Sequence, residues 1–217
     1  MSELFLSVVN LSISASWLIL AVCVLRLLLR SAPRWSACLL WGVVGLRLVW
    51  PFRLESALSL VPSAMTVPEG IALEAAPSIS SGVALIDGAV NPLLEAGLSP
   101  NVGDSVNPLQ IVIPALAALW LAVAAAMLLY ALASWLRLRR LVSVSVPAGE
   151  GVYICDRVRD PFILGLFRPR VYLPSQLAEP ELGYVLAHER AHLRRRDYLW
   201  KPLGWLILCV HWFHPLA

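Results

Sequence analysis

Three long apolar stretches dominate the chain. The first runs from Phe5 to Leu25, 21 residues without a charge, and about 20 such residues cross the hydrocarbon core of a bilayer as one helix. Ser7, Asn10, Ser12, Ser14 and Ser16 lie along it and are expected to face other helices rather than lipid. The second runs from Trp35 to Phe52, with Trp35 and Trp50 near its ends, where interfacial tryptophans sit. Its uncharged part, Trp35 to Leu46, has only 12 residues. Arg47, near its far end, either snorkels to the outer interface or is a buried functional charge. The third stretch, Ile111 to Leu136, has 26 uncharged residues, and Ala115, Ala118, Ala122 and Ala126 give it a small-residue face for close helix packing. The expected spans are therefore 5–25, 35–52 and 108–136.

Composition strengthens this picture. Of the 217 residues, 59% are hydrophobic and 14% charged, with a mean hydropathy of +0.75. Soluble domains carry about 25% charged residues, so a disordered chain is excluded and a plain soluble enzyme is disfavoured. The net charge is only +3, and no basic stripe is interleaved with aromatics, so no direct nucleic-acid ligand is expected. Cys23, Cys38, Cys155 and Cys209 form no CxxC and no disulfide framework, and are read as free thiols.

Charge placement orients the spans. Met1-Ser2-Glu3 lacks the positive region of a signal peptide, whereas Arg26, Arg30 and Arg34 follow the first run, and Arg137, Arg139 and Arg140 follow the third. The positive-inside rule puts both clusters in the cytoplasm and the N-terminus outside. Segment 53–107 then lies outside, with one basic residue, Arg53, against Glu55, Glu69, Glu74, Asp87, Glu95 and Asp104. It is rich in Ser, Pro, Gly and Ala and weakly amphipathic, and reads as an extracytoplasmic linker or as a sensing or docking surface.

Segment 137–197 has the composition of a small mixed α/β unit. Val142 to Val146 alternates with period two, Pro147 to Gly151 is turn chemistry, and Val152 to Cys155 reads as a second strand of a hairpin. Arg170 to Leu173 reads as a third strand, between Pro169 and Pro174. Pro180 suits the first turn of a helix that continues to about Arg195.

That helix carries His188-Glu189-Arg190-Ala191-His192, an HExxH motif. Residues i and i+4 share a helical face, so His188 and His192 can both reach one Zn²⁺ ion, and Glu189 stands beside them as the base for a water. A third protein ligand is required. The extended His form, HExxHxxGxxH, is excluded because Arg195 and Tyr198 occupy its Gly and His positions. Asp197 follows His192 by five residues and is expected to support a ligand or cap a helix. His211 and His214 remain as candidates of the right type, alongside a packed or interfacial role for each. The apolar tail 198–217 is expected to be re-entrant, interfacial or packed in a domain rather than to cross the bilayer.

Three stretches carry a family resemblance: Pro161-Phe-Ile-Leu-Gly-Leu-Phe-Arg-Pro-Arg-Val-Tyr-Leu-Pro174, Leu186-Ala-His-Glu-Arg-Ala-His-Leu-Arg-Arg-Arg-Asp197 and Trp212-Phe-His-Pro-Leu216. With the order of spans, they make the chain resemble the bacterial BlaR/MecR-type membrane-embedded antirepressor zinc metallopeptidases. Where this chain has His214, that family has Asn. The resemblance implies an α-helical integral membrane protein of the bacterial cell membrane with a small cytoplasmic α+β, gluzincin-like zinc-peptidase unit. It makes His188 and His192 zinc ligands and Glu189 the catalytic base. It puts the third ligand, a Glu, beyond the Trp212–Leu216 stretch, so the chain is expected to be a fragment, a truncated product or part of a split system. It implies a cytoplasmic protein substrate, a transcriptional repressor, cut in a signalling pathway. Many relatives lack the penicillin-binding sensor, so β-lactam sensing does not follow. Two other readings stand beside this one: a membrane protease for prenylated or misfolded proteins, disfavoured by Arg168–Pro174, and a catalytically incomplete membrane protein.

Overall fold

The computed structural model describes residues 1–30, 33–50, 66–100 and 106–216. Its helices are α1 (Ser2–Leu28), α2 (Arg34–Val49), α3 (Ala84–Leu98), α4 (Pro108–Leu141), α5 (Glu181–Arg194) and α6 (Asp197–Val210), and its strands are β1 (Val146–Gly149), β2 (Val152–Cys155), β3 (Phe162–Leu164) and β4 (Arg170–Pro174). Helices α1 and α4 are each long and apolar enough to cross a membrane, and α2 is a shorter apolar helix. They contain the expected stretches 5–25 and 108–136, and α2 covers the expected 35–52 as far as Val49. Residues 51 and 52 lie outside the described residues, as do Arg53, Glu55 and Asp104.

The chain divides into two compact units, one of Met1–Ala124 with Val210–Ala217 and one of Ala125–Cys209. In the first, polar side chains on α1 act as fasteners. The Asn10 amide donates to Val67 O and accepts from Val67 N–H, both at 2.9 Å. Two residues on, Ser12 Oγ lies 2.8 Å from His211 Nδ1, and His211 Nε2 lies 3.2 Å from Leu48 O in α2. His214 Nδ1 accepts from Leu216 N–H, so in the neutral ring Nε2–H donates to Ser16 Oγ at 2.7 Å. The chain end after α6 is thus seated on α1, with His211 2% and His214 8% exposed. Helix α6 has 14 residues and rises about 21 Å, less than the roughly 30 Å of a hydrocarbon core.

Segment 66–100 is built, not an open linker. Ile71 packs with Leu6, Leu109 and Ile113, flanked by Phe5, Val67, Ile79 and Leu98. The Asn91 amide of α3 binds both Ile79 N–H (2.9 Å) and Ile79 O (3.1 Å), and Asn107 Nδ2 donates to Glu74 O. Helix α3 has no counterpart in the sequence reading.

In the second unit the sheet order is β1-β2-β4-β3, with β2 and β4 parallel and the other pairs antiparallel. Register puts Val152, Val171, Leu173 and Ile163 on one face, beneath Leu182, Val185, Leu186 and Leu193 of α5. The other face carries Cys155, Tyr172 and Phe162 against Val142 and Leu141. Tyr172 lies between Tyr153 (centroids 5.5 Å apart) and Phe162 (5.6 Å), and the Arg170 guanidinium lies 4.9 Å from the Tyr153 ring. Between β3 and β4 the chain turns at Gly165, whose φ of +116° and 2.5 Å approach of Arg168 O leave no room for a Cβ.

The sequence reading needs one correction here. Val142–Val144 is not a strand but a 3₁₀ turn continuing α4. Its period-two alternation is overridden because Val142 is drawn into the core below the sheet and Ser143 Oγ bonds Arg140 O at 2.8 Å, satisfying a carbonyl at the helix end. The hairpin strand begins at Val146 instead, and Pro147, which cannot donate to a ladder, is accommodated on the edge strand β1. Strand β4 and helix α5 stand where the pattern predicts them, with Pro180 at the N-cap.

Candidate metal and active site

Helix α5 is fixed in rotation by its apolar residues. Leu182, Val185, Leu186 and Leu193 point into the sheet, and Glu189 lies between Leu186 and Leu193 on that same face. It is therefore held between helix and sheet, 9% exposed. One hundred degrees of helical rotation per residue turns His188 and His192 to the flank, where His188 is exposed and His192 half-buried. The rings meet edge to face, centroids 4.7 Å apart, with the two Nε2 atoms 3.1 Å apart.

The chain then reverses tightly. Arg195 N–H still bonds Ala191 O, Arg196 takes a left-handed φ of 58°, and α6 starts at Asp197. A non-glycine residue there costs on the order of 1 kcal/mol, and such strain concentrates at functional sites. Its effect is to bring the Asp197 carboxylate back to His192 Nδ1 at 2.5 Å. That hydrogen bond is the main reason the Asp197 carboxyl is held below the ordinary carboxylate range, with Arg195 and Lys201 adding to it. The pair is therefore intact above that range and is lost only as the pH falls through the depressed value. The Arg195 guanidinium lies 3.2 Å from the same Nδ1 and 3.6 Å from the carboxylate. Because Nδ1 points its proton at the carboxylate, the guanidinium acts on Asp197 rather than on the ring.

This arrangement fits a metal. With Nδ1–H donated to Asp197, His192 presents a bare Nε2 lone pair, the usual way a carboxylate orients a ligating histidine. Two imidazole nitrogens bound tetrahedrally at about 2.0–2.1 Å lie about 3.4 Å apart, so the observed 3.1 Å is close to ligation distance. Among the described residues, no group of three or more His, Cys, Asp or Glu comes together around one point. His211 and His214, the other histidines considered as ligands, have their ring nitrogens engaged by Ser12, Leu48, Ser16 and Leu216.

Sequence reasoning named His188, Glu189 and His192 through their spacing and left Asp197 between supporting a ligand and capping a helix; the structure pairs it with His192 and places it as the acidic first-turn residue of α6. It missed β3, the edge strand that lies beside α5. The signal was Phe162-Ile163-Leu164 before Gly165, too short an apolar run to read as a strand by itself.

The model of one family, described as BlaR1 peptidase M56, matches residues 6–217. A curated relative, "Regulatory protein BlaR1" of Bacillus licheniformis, is 35% identical over 63 residues, 28% of this chain and 10% of the relative's length. No solved structure matches the chain. The chain belongs to the BlaR1 peptidase M56 family. Membership, with the two long apolar helices, points to a membrane-associated metallopeptidase.

If Asp197 orients His192, Asp197→Asn weakens zinc affinity by roughly 10–100-fold, read by competition with a chromogenic chelator, while the far-ultraviolet dichroism is unchanged. Unaltered affinity in Asp197→Asn contradicts that role.

Proposed function

We propose that this member of the BlaR1 peptidase M56 family is an integral-membrane zinc metalloendopeptidase that cuts a cytoplasmic protein, a transcriptional repressor, as the antirepressor step of a signalling pathway. The observation that carries the peptidase chemistry is the convergence of His188 Nε2 and His192 Nε2 at 3.1 Å, with Asp197 behind one ring and Glu189 on the adjoining face. The regulatory role and the repressor rest on the resemblance and on the name of the B. licheniformis relative.

His188 and His192 would hold the zinc. When bound, it polarises the scissile carbonyl and makes a water acidic enough to attack at neutral pH. Asp197 keeps the His192 Nδ1 proton in place, so that Nε2 stays a lone-pair donor. Glu189 takes the proton of the attacking water and passes it to the departing amine, so the carboxylate is regenerated as the peptide bond breaks. Its low exposure on the sheet-facing side of α5 restricts its rotamers. Strand β3 lies at the sheet edge beside α5 and offers an extended peptide a strand to pair with.

The orientation is part of the proposal: N-terminus outside, segment 53–107 outside, residues 137–197 in the cytoplasm. It is supported by the arginines that follow α1 and α4 and by the acidic character of segment 53–107. In intact cells, Asp104→Cys is expected to react with a membrane-impermeant thiol reagent and Glu150→Cys to be protected. The reverse pattern contradicts the orientation.

Glu189→Gln tests the mechanism. The variant is expected to bind zinc as the parent protein does, because the base is not a ligand, and to lose peptide cleavage by at least about 10²-fold. Cleavage at parental rate in Glu189→Gln removes Glu189 from the chemistry; loss of zinc along with activity assigns it to the metal instead.

A further inference from the structure

Helix α3 is built inside out for a helix in water. Its packed side carries the polar groups: Asp87 Oδ1 accepts Ser81 N–H at 2.7 Å, and the Asn91 amide holds both polar groups of Ile79. Its free side is apolar, with Leu85 86% and Leu93 73% exposed. Ala89, Pro92 and Ala96 lie on the same exposed side. A helix covering a soluble domain shows the opposite arrangement. The one charge on the free side, Glu95, lies near the C-terminal end of the helix.

Position along α1 explains the inversion. Ile79, Ser81 and Ile86 line one small cavity with Ile13, Trp17 and Leu20 of α1. Those α1 residues lie about 12–22 Å along the helix axis from Phe5, where the apolar run begins. From Ile86, α3 climbs back about 18 Å to Leu98, which packs at the level of Phe5 and Leu6. From Ile71, packed with Leu6, to Ser81 the chain thus descends beside α1 as irregular chain, and from Ile86 it returns as a helix.

The two limbs differ in how their backbone is satisfied. Irregular backbone at membrane depth must be sealed by protein, whereas a helix satisfies its own backbone. In the descending limb, Ile79 has both polar groups bound by Asn91, and beside it Val67 has both bound by Asn10. Ser80 N–H bonds Thr66 O at 2.9 Å, and Pro77 and Ser81 are buried. The helical limb takes the free side. Segment 66–100 contains no lysine or arginine, so its partner is the acyl layer rather than anionic headgroups.

We propose that residues 71–98 form a re-entrant hairpin that enters the bilayer from the N-terminal end of α1, with the Leu85–Leu93 face of α3 in contact with lipid acyl chains. The inference rests on the reading that α1 and α4 span the bilayer; the face would otherwise meet water. It makes this segment part of the membrane body of the protein instead of an extracytoplasmic appendage.

The unmodified chain in nanodiscs of phosphatidylcholine, part of it carrying a diazirine on the acyl chain, provides the test. Photolysis and peptide mapping locate acyl-chain adducts, and hydroxyl-radical oxidation of a parallel sample locates water contact. Leu119, 54% exposed on α4, reports the span itself. The expected result is acyl adducts at Leu85 and Leu93 as well as near Leu119, with loss of leucine oxidation at all three. Adducts near Leu119 with oxidation at Leu85 and Leu93 overturn the hairpin and leave the spans standing. Adducts near Leu119 with neither mark on α3 overturn it in favour of a protein covering that face. Oxidation of Leu119 without adducts overturns the spans, and the hairpin with them.

Discussion

The seating of α5 on the sheet is the constraint from which the site follows. Leu182, Val185, Leu186 and Leu193 against Val152, Val171 and Leu173 leave the helix one rotation, and each such side chain contributes about 1.5–3 kcal/mol when fully buried. That rotation decides which way every functional group points. Glu189 is drawn under the helix with the leucines, and the histidines are set on the flank with Nε2 atoms converging. Burying a carboxylate in an apolar seam opposes stability, and the seam tolerates it because neighbouring leucines above and below supply the packing. A shift of one residue in the apolar pattern would turn Glu189 outward and the histidines into the sheet.

The tight exit from α5 depends on that seating. With α5 held, the left-handed Arg196 directs the chain back so that the first residue of α6 reaches the ring one turn before the helix end. The strained residue, the carboxylate and the histidine face of α5 act as one device. In the other unit, α1 works by the same economy with different chemistry. Asn10, Ser12 and Ser16 are spaced so that each holds a separate piece of chain: Val67 at Asn10, His211 at Ser12 and His214 at Ser16. Such fasteners suit a helix read as spanning a bilayer, where hydrogen bonds rather than apolar burial distinguish one neighbour from another.

Legibility in the sequence follows the range of the interaction that determines each feature. The HExxH histidines, α4 and β4 are set by spacing within a few residues, and their patterns are plain in the chain. Asp197 was visible as the nearby acid, but its choice of partner depends on the φ of Arg196, which no composition rule gives for an arginine. Ser12 and Ser16 could be read as facing other helices, yet their partners lie 199 and 198 residues away, beyond any pattern. Val142–Val144 misled because local alternation was outweighed by burial below the sheet. Helix α3 was hidden for a further reason: Pro92 interrupts it, and its polar residues face inward, so the usual amphipathic signature points the wrong way.

The central claim is that α5 is rotated so that His188 and His192 jointly ligate one zinc ion. X-ray absorption fine structure at the zinc K-edge, on protein loaded with a single equivalent of metal, reads this directly. The account predicts scattering from two imidazoles at about 2.0 Å with oxygen or nitrogen completing the shell, and loss of one imidazole in His188→Ala. A sulfur shell at about 2.3 Å, or an imidazole count that His188→Ala leaves unchanged, contradicts it.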